Sequence, residues 1–123
     1  MIDIPLGKST PRVLLDDKNK KFIIEGQSYP ENSSAFYEPI IRWFNAYLQE
    51  DNRALELIVK LLYLNTSSTK AMFYIFDLLD EAYKKGHDIK IQWLYDKENE
   101  MARDTGEELL EDLVLPYSIV VSE

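Results

Sequence analysis

Leu55-Glu56-Leu57-Ile58-Val59-Lys60-Leu61-Leu62-Tyr63-Leu64-Asn65-Thr66-Ser67-Ser68-Thr69-Lys70 is the stretch on which the fold turns. It begins as an alternation, with Leu55, Leu57, Val59 and Leu61 set against Glu56 and Lys60, and it ends almost wholly apolar before Asn65. Alternation is the period of a strand, and a continuous apolar run is how a strand covered on both sides reads. The segment is therefore expected to be a central strand, buried on both faces at its C-terminal end. Beyond the hydroxyl cluster the period lengthens: Met72, Ile75, Phe76, Leu79, Ala82 and Tyr83 form a helical stripe, which Gly86 should close from the C′ position.

Working outward, Arg12-Val13-Leu14-Leu15 and Phe22-Ile23-Ile24-Glu25 flank a polar stretch, Asp16 to Lys20, and suit two strands joined by a hairpin, the second ending at Gly26. Ser28 to Ser34 has the chemistry of a turn and a helix cap. Phe36, Ile40, Trp43, Phe44, Tyr47 and Leu48 then recur at helical spacing, with Pro39 expected near the first turn. Downstream, Ile89, Ile91, Trp93 and Tyr95 alternate with Lys90 and Gln92 as a strand, and Glu98 to Asp112 reads as an acidic helix that Gly106 interrupts. Tyr117 to Val121 closes the chain as a last strand, after Pro116. The alternation of strands and helices implies parallel strands with right-handed crossovers. The expected fold is α/β: one domain over residues 1–123, with a mixed, mainly parallel sheet of about five strands and about three helices.

Composition narrows the function classes. The formal net charge of −8 repels phosphate backbones and anionic headgroups, so nucleic acid and membrane surfaces are poor partners. No cysteine is present, which removes thiolate catalysis and thiolate metal sites, and His87 is the single imidazole. His87 follows a helix end, where imidazole more often complements the dipole than acts as a base. With four glycines in the whole chain, the turn after Leu64 lacks the loop that cradles a nucleotide, and no cofactor is expected. The carboxylates between Glu98 and Asp112 resemble a solvated helix face rather than a metal site. Neither a signal-peptide pattern nor a membrane-spanning stretch is legible, and the expected location is the cytoplasm.

The Asn65 to Lys70 turn is the first candidate site, since open α/β sheets place their sites beyond the carboxyl ends of the strands. Thr66, Ser67 and Ser68 are adjacent hydroxyls at a helix start, where free N–H groups and the macrodipole favour an added phosphate. Lys70 can add a charge-assisted contact. The same hydroxyls also suit an ordinary cap, and spacing does not separate the two readings. Tyr29-Pro30-Glu31-Asn32-Ser33 is the second candidate, either a partner-binding loop or a capped connection; topology brings it to the same sheet edge. A small enzyme using Glu31 or Asp96 as acid and base is the reading from another class, and it lacks a nucleophile-base pair.

Taken as a set, Gly26-Gln27-Ser28-Tyr29-Pro30-Glu31-Asn32-Ser33, Leu62 to Lys70, Trp93-Leu94-Tyr95-Asp96, Gly106-Glu107-Glu108 and Leu115-Pro116-Tyr117 resemble the SiaC family of bacterial regulatory phosphoproteins. The resemblance runs from Ser9 to the C-terminus and implies a fold like that of STAS domains, the anti-sigma-factor antagonists. It further implies a non-catalytic switch with Thr66, the threonine of the Asn-Thr-Ser-Ser motif, as phosphoacceptor and Ser67 and Ser68 as fallbacks. A cognate serine/threonine-type kinase would add the phosphate and a PP2C-like phosphatase remove it. The unphosphorylated form would bind and activate a diguanylate cyclase, giving an output in cyclic-di-GMP and biofilm signalling. An anti-sigma-factor target with a transcriptional output is the variant of this reading.

Overall fold

Four successive strands pair in parallel in the order in which the chain makes them. In the computed structural model, which describes residues 1–122, these are β3 (Lys21–Ser28), β4 (Ala54–Leu64), β5 (Asp88–Asp96) and β6 (Tyr117–Ser122). Helices α1 (Ser33–Leu48), α2 (Thr66–Lys84) and α3 (Glu100–Leu110) form the crossovers between them. Before them, β1 (Ile2–Ile4) and β2 (Arg12–Asp16) extend the sheet antiparallel, giving the order β1-β2-β3-β4-β5-β6. The α/β class, the mainly parallel sheet and the three helices are as expected. Strand β1 is additional: three residues are too short to show a period, and Ile2 and Ile4 become a strand only by pairing with Leu15 and Val13.

One face of the sheet carries all three helices, as crossovers of one hand between neighbouring strands require. Val13, Leu15, Phe22, Ile24, Leu57, Val59, Ile91 and Trp93 point into a core shared with Ile40 and Phe44 of α1, Met72, Ile75 and Phe76 of α2, and Leu109 and Leu110 of α3. On the other face Leu14, Ile23, Ile58 and Gln92 lie in one register row and stay partly exposed. An ion pair between Arg12 and Glu25 (3.3 Å) and one between Lys60 and Asp96 (3.1 Å) border that row.

This one-sided layering corrects the expectation that β4 ends buried on both faces. Leu62 and Tyr63 are 38% and 49% exposed, because no layer lies over their side of the sheet. Other local expectations also change. Gly26 does not end β3, which runs on to a fully buried Ser28; it marks a bulge, at φ 122°, where a side chain would meet Leu6. Pro39 lies in the second turn of α1 rather than the first, on an exposed face. Gly86 behaves as read: its amide reaches the Tyr83 carbonyl at 3.0 Å and the His87 amide reaches Ala82 at 3.1 Å, a Schellman closure. His87 itself is fixed by accepting the Arg53 amide on Nδ1 at 3.1 Å.

Gly106 does not interrupt α3 but lets it dock. It is buried, and a Cβ there would lie 2.5 Å from the Trp93 indole nitrogen, which donates to the Ala102 carbonyl at 3.0 Å. Replacing Gly106 by Ala should therefore destabilise by about 1–3 kcal/mol in chemical denaturation, despite the roughly 1 kcal/mol that helix propensity favours Ala. A neutral or stabilising outcome would show that α3 is free to slide off Trp93.

The β2–β3 turn supplies a pH-dependent element. Asn19 donates its side chain to Asp16 at 2.7 Å and its backbone amide at 3.2 Å, and these bonds hold the Asp16 carboxyl below its ordinary pKa. A depressed folded pKa adds stability that is complete above the unfolded value and is lost as pH falls through the folded one. The thermal midpoint of Asp16→Asn should accordingly lie below that of the parent at neutral pH, with the gap closing on acidification below the ordinary carboxylate range.

Candidate functional site

Every helix starts at the same sheet edge and is capped in the same way. Asn32, Asn65 and Asn99 each turn a side-chain oxygen onto the amide three residues on, in Ala35 (3.1 Å), Ser68 (2.9 Å) and Ala102 (3.0 Å). The βα turns thus bring the starts of α1 and α2 side by side, beyond the ends of β3 and β4. The Asn65 amide completes the edge by bonding the Ser28 carbonyl at 3.0 Å.

Between the two helix starts runs a chain of hydroxyls. Tyr37 meets Ser28 at 2.6 Å, Ser28 donates to Ser68 at 2.7 Å, Ser68 meets Ser33 at 3.4 Å, Ser33 meets Ser67 at 2.7 Å, and Ser67 donates to Asn65 Oδ1 at 3.3 Å. Each hydroxyl has one proton, so the two fixed donations orient the rest: all five protons point from Tyr37 toward Asn65. Burial pushes the Tyr37 phenol above its ordinary pKa, partly opposed by its bonds with Ser28 and Ser68, so Tyr37 enters the chain as a protonated donor. Aligned hydroxyls polarise one another, and a buried chain of this kind resists loss of any member.

Within this frame the sequence candidates separate. Thr66 and Ser67 are exposed at the first two positions of α2, whereas Ser68 is 0% exposed and has both its hydroxyl and its amide engaged. A kinase reaches Ser68 only if the helix start opens. With the Ser68 amide on Asn65 Oδ1 and the Thr69 amide on the Asn65 carbonyl, the Thr66 and Ser67 amides at this helix end have no partner among the described residues. In the first loop Pro30 and Ser33 are buried, and Asn32 and Asn65 spend their side-chain oxygens on caps. Tyr29, Glu31 and Lys70 remain outward.

Two features of this edge lay outside the sequence reading. Tyr63 comes to the surface against Tyr29, edge to face at 6.0 Å between ring centroids, and with Leu62 and Met101 exposed nearby it makes the edge apolar as well as polar. A groove of about 470 Å³ opens between α1 and α2, running from Ser33 and Ser67 past Lys70 to Tyr74. Nothing in the spacing shows which helices lie side by side, so that groove had no sequence signal. Asp96, the other proposed acid or base, is held below its ordinary pKa by the Lys60 ammonium, which suits an ion pair better than proton donation. Among the described residues no three His, Cys, Asp or Glu side chains gather as a metal site, and no helix is long and apolar enough to cross a membrane.

The hydroxyl chain predicts its own energetic signature. Ser68→Ala removes the middle link, leaving Ser28 without its acceptor and Ser33 without a donor. The expected loss is about 1–3 kcal/mol in urea denaturation.

Comparison with known proteins places this arrangement. The model of a family described as SiaC family regulatory phosphoprotein matches residues 4–122. The SiaC chain in a crystal structure of the diguanylate cyclase SiaD with its activator SiaC, from Pseudomonas aeruginosa, superposes with a TM-score of 0.94 at 40% identity, covering 99% of this chain and 100% of that one. Apo-SiaC of the same organism gives a TM-score of 0.91 at 40% identity over 97% of each chain. An uncharacterised protein of Pseudomonas aeruginosa strain UCBPP-PA14 is 42% identical over 118 residues, 96% of this chain and 94% of that one.

Proposed function

The chain belongs to the SiaC family of regulatory phosphoproteins, and from that premise we propose that it is a non-catalytic cytoplasmic switch whose unphosphorylated form binds and activates a diguanylate cyclase. Thr66 is the phosphoacceptor, written by a cognate serine/threonine-type kinase and erased by a PP2C-like phosphatase. The partner class is carried by the SiaC chain that forms a complex with SiaD and shares nearly the whole length of this one. The acceptor is carried by one observation: of the three hydroxyls in Thr66-Ser67-Ser68, Thr66 is the exposed one that takes no part in the buried chain.

The chemistry follows from charge. A phosphate on Thr66 brings roughly −1.5 to −2 charge to the first turn of α2, where the free amides and the helix dipole stabilise it in the unbound protein. A docked partner would have to strip water from that charge. Desolvation without a matching cation costs several kcal/mol, and about 2.7 kcal/mol is already a hundredfold in affinity. No rearrangement of the fold is needed.

Incubation with the cognate kinase and ATP, followed by peptide mapping, should place the phosphate on Thr66 and leave Thr66→Ala unmodified. Thr66→Ala should bind the cyclase like the unmodified parent, while the phosphoprotein binds about a hundredfold or more weakly by calorimetry. Phosphate on another residue, or equal cyclase binding by both forms, would reject the reading.

A further inference from the structure

We infer that β6 is the seat of a second copy of this chain: two β6 edges pair antiparallel across a twofold axis through Ile119 and join two sheets into one. This surface is separate from the Thr66 turn, which follows β4.

The two ends of the sheet are unlike. β1 closes one end with three residues, one of them Asp3, and Pro5 follows directly. Short length, charge and proline are how sheets blunt an edge. β6 closes the other end with Tyr117-Ser118-Ile119-Val120-Val121-Ser122, which has no charge, no proline and no bulge in its register with β5. Aromatic and β-branched residues make up most of it, and such an edge is a template for another strand. It is also held ready. The buried Asp80 carboxylate accepts the Val114 and Leu115 amides, both at 2.9 Å, and so fixes the chain where it enters the strand. Little ordering is left to oppose association.

Hydrogen-bond phase selects the register. The Ile91 amide donates to the Pro116 carbonyl at 3.2 Å, and Ile91 pairs with Tyr117. Partners alternate along a parallel ladder, so Ser118, Val120 and Ser122 turn their backbone groups to β5, while Tyr117, Ile119 and Val121 turn theirs outward. In an antiparallel pair, residues that exchange both bonds stand directly opposite each other. Centring on Ile119 sets it against its own copy and Tyr117 against Val121, and every outward N–H and C=O of the three is met. A slip of one residue would set outward groups against groups already spent on β5.

Side chains and charge agree with that register. Pairing with the core residues Ile91 and Trp93 places Tyr117, Ile119 and Val121 on the helical side of the sheet, and Val120, opposite Leu94, on the open side. Tyr117, Val121 and Val120 are 40%, 44% and 38% exposed. Association lays Tyr117 on the second copy's Val121, an aromatic–β-branched cross-strand pair, and Val120 beside the second copy's Ser118. Each chain carries −8, which opposes the approach of two copies, and an uncharged strand is a contact that brings no like charges into register. The strand is thus its own complement in backbone phase, shape and charge. One strand on one strand falls below the roughly 1,200 Å² of a standard interface, so the dimer is weak and reversible.

Sedimentation equilibrium of the full chain from about 1 μM to about 1 mM should show the mass rising from one protomer toward two. Val121→Lys, at an exposed position whose backbone groups face away from β5, should stay monomeric over that range with unchanged circular dichroism. Met101→Lys, with the same change of charge at an exposed position on α3, should dimerise like the parent. The chain has no cysteine, so introduced thiols report the register even if Val121→Lys fails to fold. A mixture of Ser118→Cys and Val120→Cys chains should oxidise to the mixed disulfide well beyond the half share of random pairing, because those positions stand opposite with Cα atoms about 4.5 Å apart. A parent that stays monomeric at about 1 mM would leave the edge to a strand of another protein and reject the second copy. A dimer that folded Val121→Lys does not weaken, or thiols that pair at random, would reject it equally.

Discussion

Parallel pairing of β3 to β6 in chain order is the constraint from which the rest of the molecule follows. A parallel pair needs a crossover, and crossovers of one hand between successive neighbours all pass over the same face. Helices α1, α2 and α3 consequently share one core, the opposite face is left to a short apolar row edged by ion pairs, and all three helices begin at one edge. Concentrating helix starts at a single edge gathers uncommitted amides and positive dipole ends there. A site for an added anion is the natural use of such an edge.

The hydroxyl chain turns that edge into a defined object. Ser28 ends a strand, Ser33 opens α1, Ser68 lies in the first turn of α2, and Tyr37 rises from inside α1 to meet them. Burying four hydroxyls costs free energy unless each finds a partner, and the single-direction chain that leaves through the exposed Ser67 and ends on Asn65 Oδ1 meets that condition. Thr66 lies beside this hydrogen-bonded frame, faces solvent and takes no part in the chain.

The apolar parts of the same edge fit this division of labour. Tyr29 and Tyr63 face each other above the carboxyl ends of β3 and β4, while the α1–α2 groove lies on the helical side of the Thr66 turn. Ion pairs elsewhere, such as Lys60 with Asp96 and Arg12 with Glu25, are partly exposed and tie neighbouring strands without adding much stability. In the groove, Lys70 makes no ion pair among the described residues.

Periodicity, turn residues and caps made most of the fold legible. The alternation in Leu55 to Leu61, the stripe from Met72 to Tyr83 and the closure at Gly86 are local patterns, and local physics decides them. The helix start at Asn65 and the candidate hydroxyls were equally visible, because capping chemistry is written in adjacent residues. What the sequence could not carry was distance across the chain. Leu62 and Tyr63 look like core until the layer above them proves absent, and Gly106 looks like a break until Trp93 fills the space where its side chain would be. Likewise, Ser28, Ser33 and Ser68 look like turn residues until they lock together. By itself the sequence determined every element but β1, the fold class and the hydroxyl cluster. Only the tertiary structure decided which hydroxyl faces solvent and where a groove opens, since both depend on contacts between residues more than thirty positions apart.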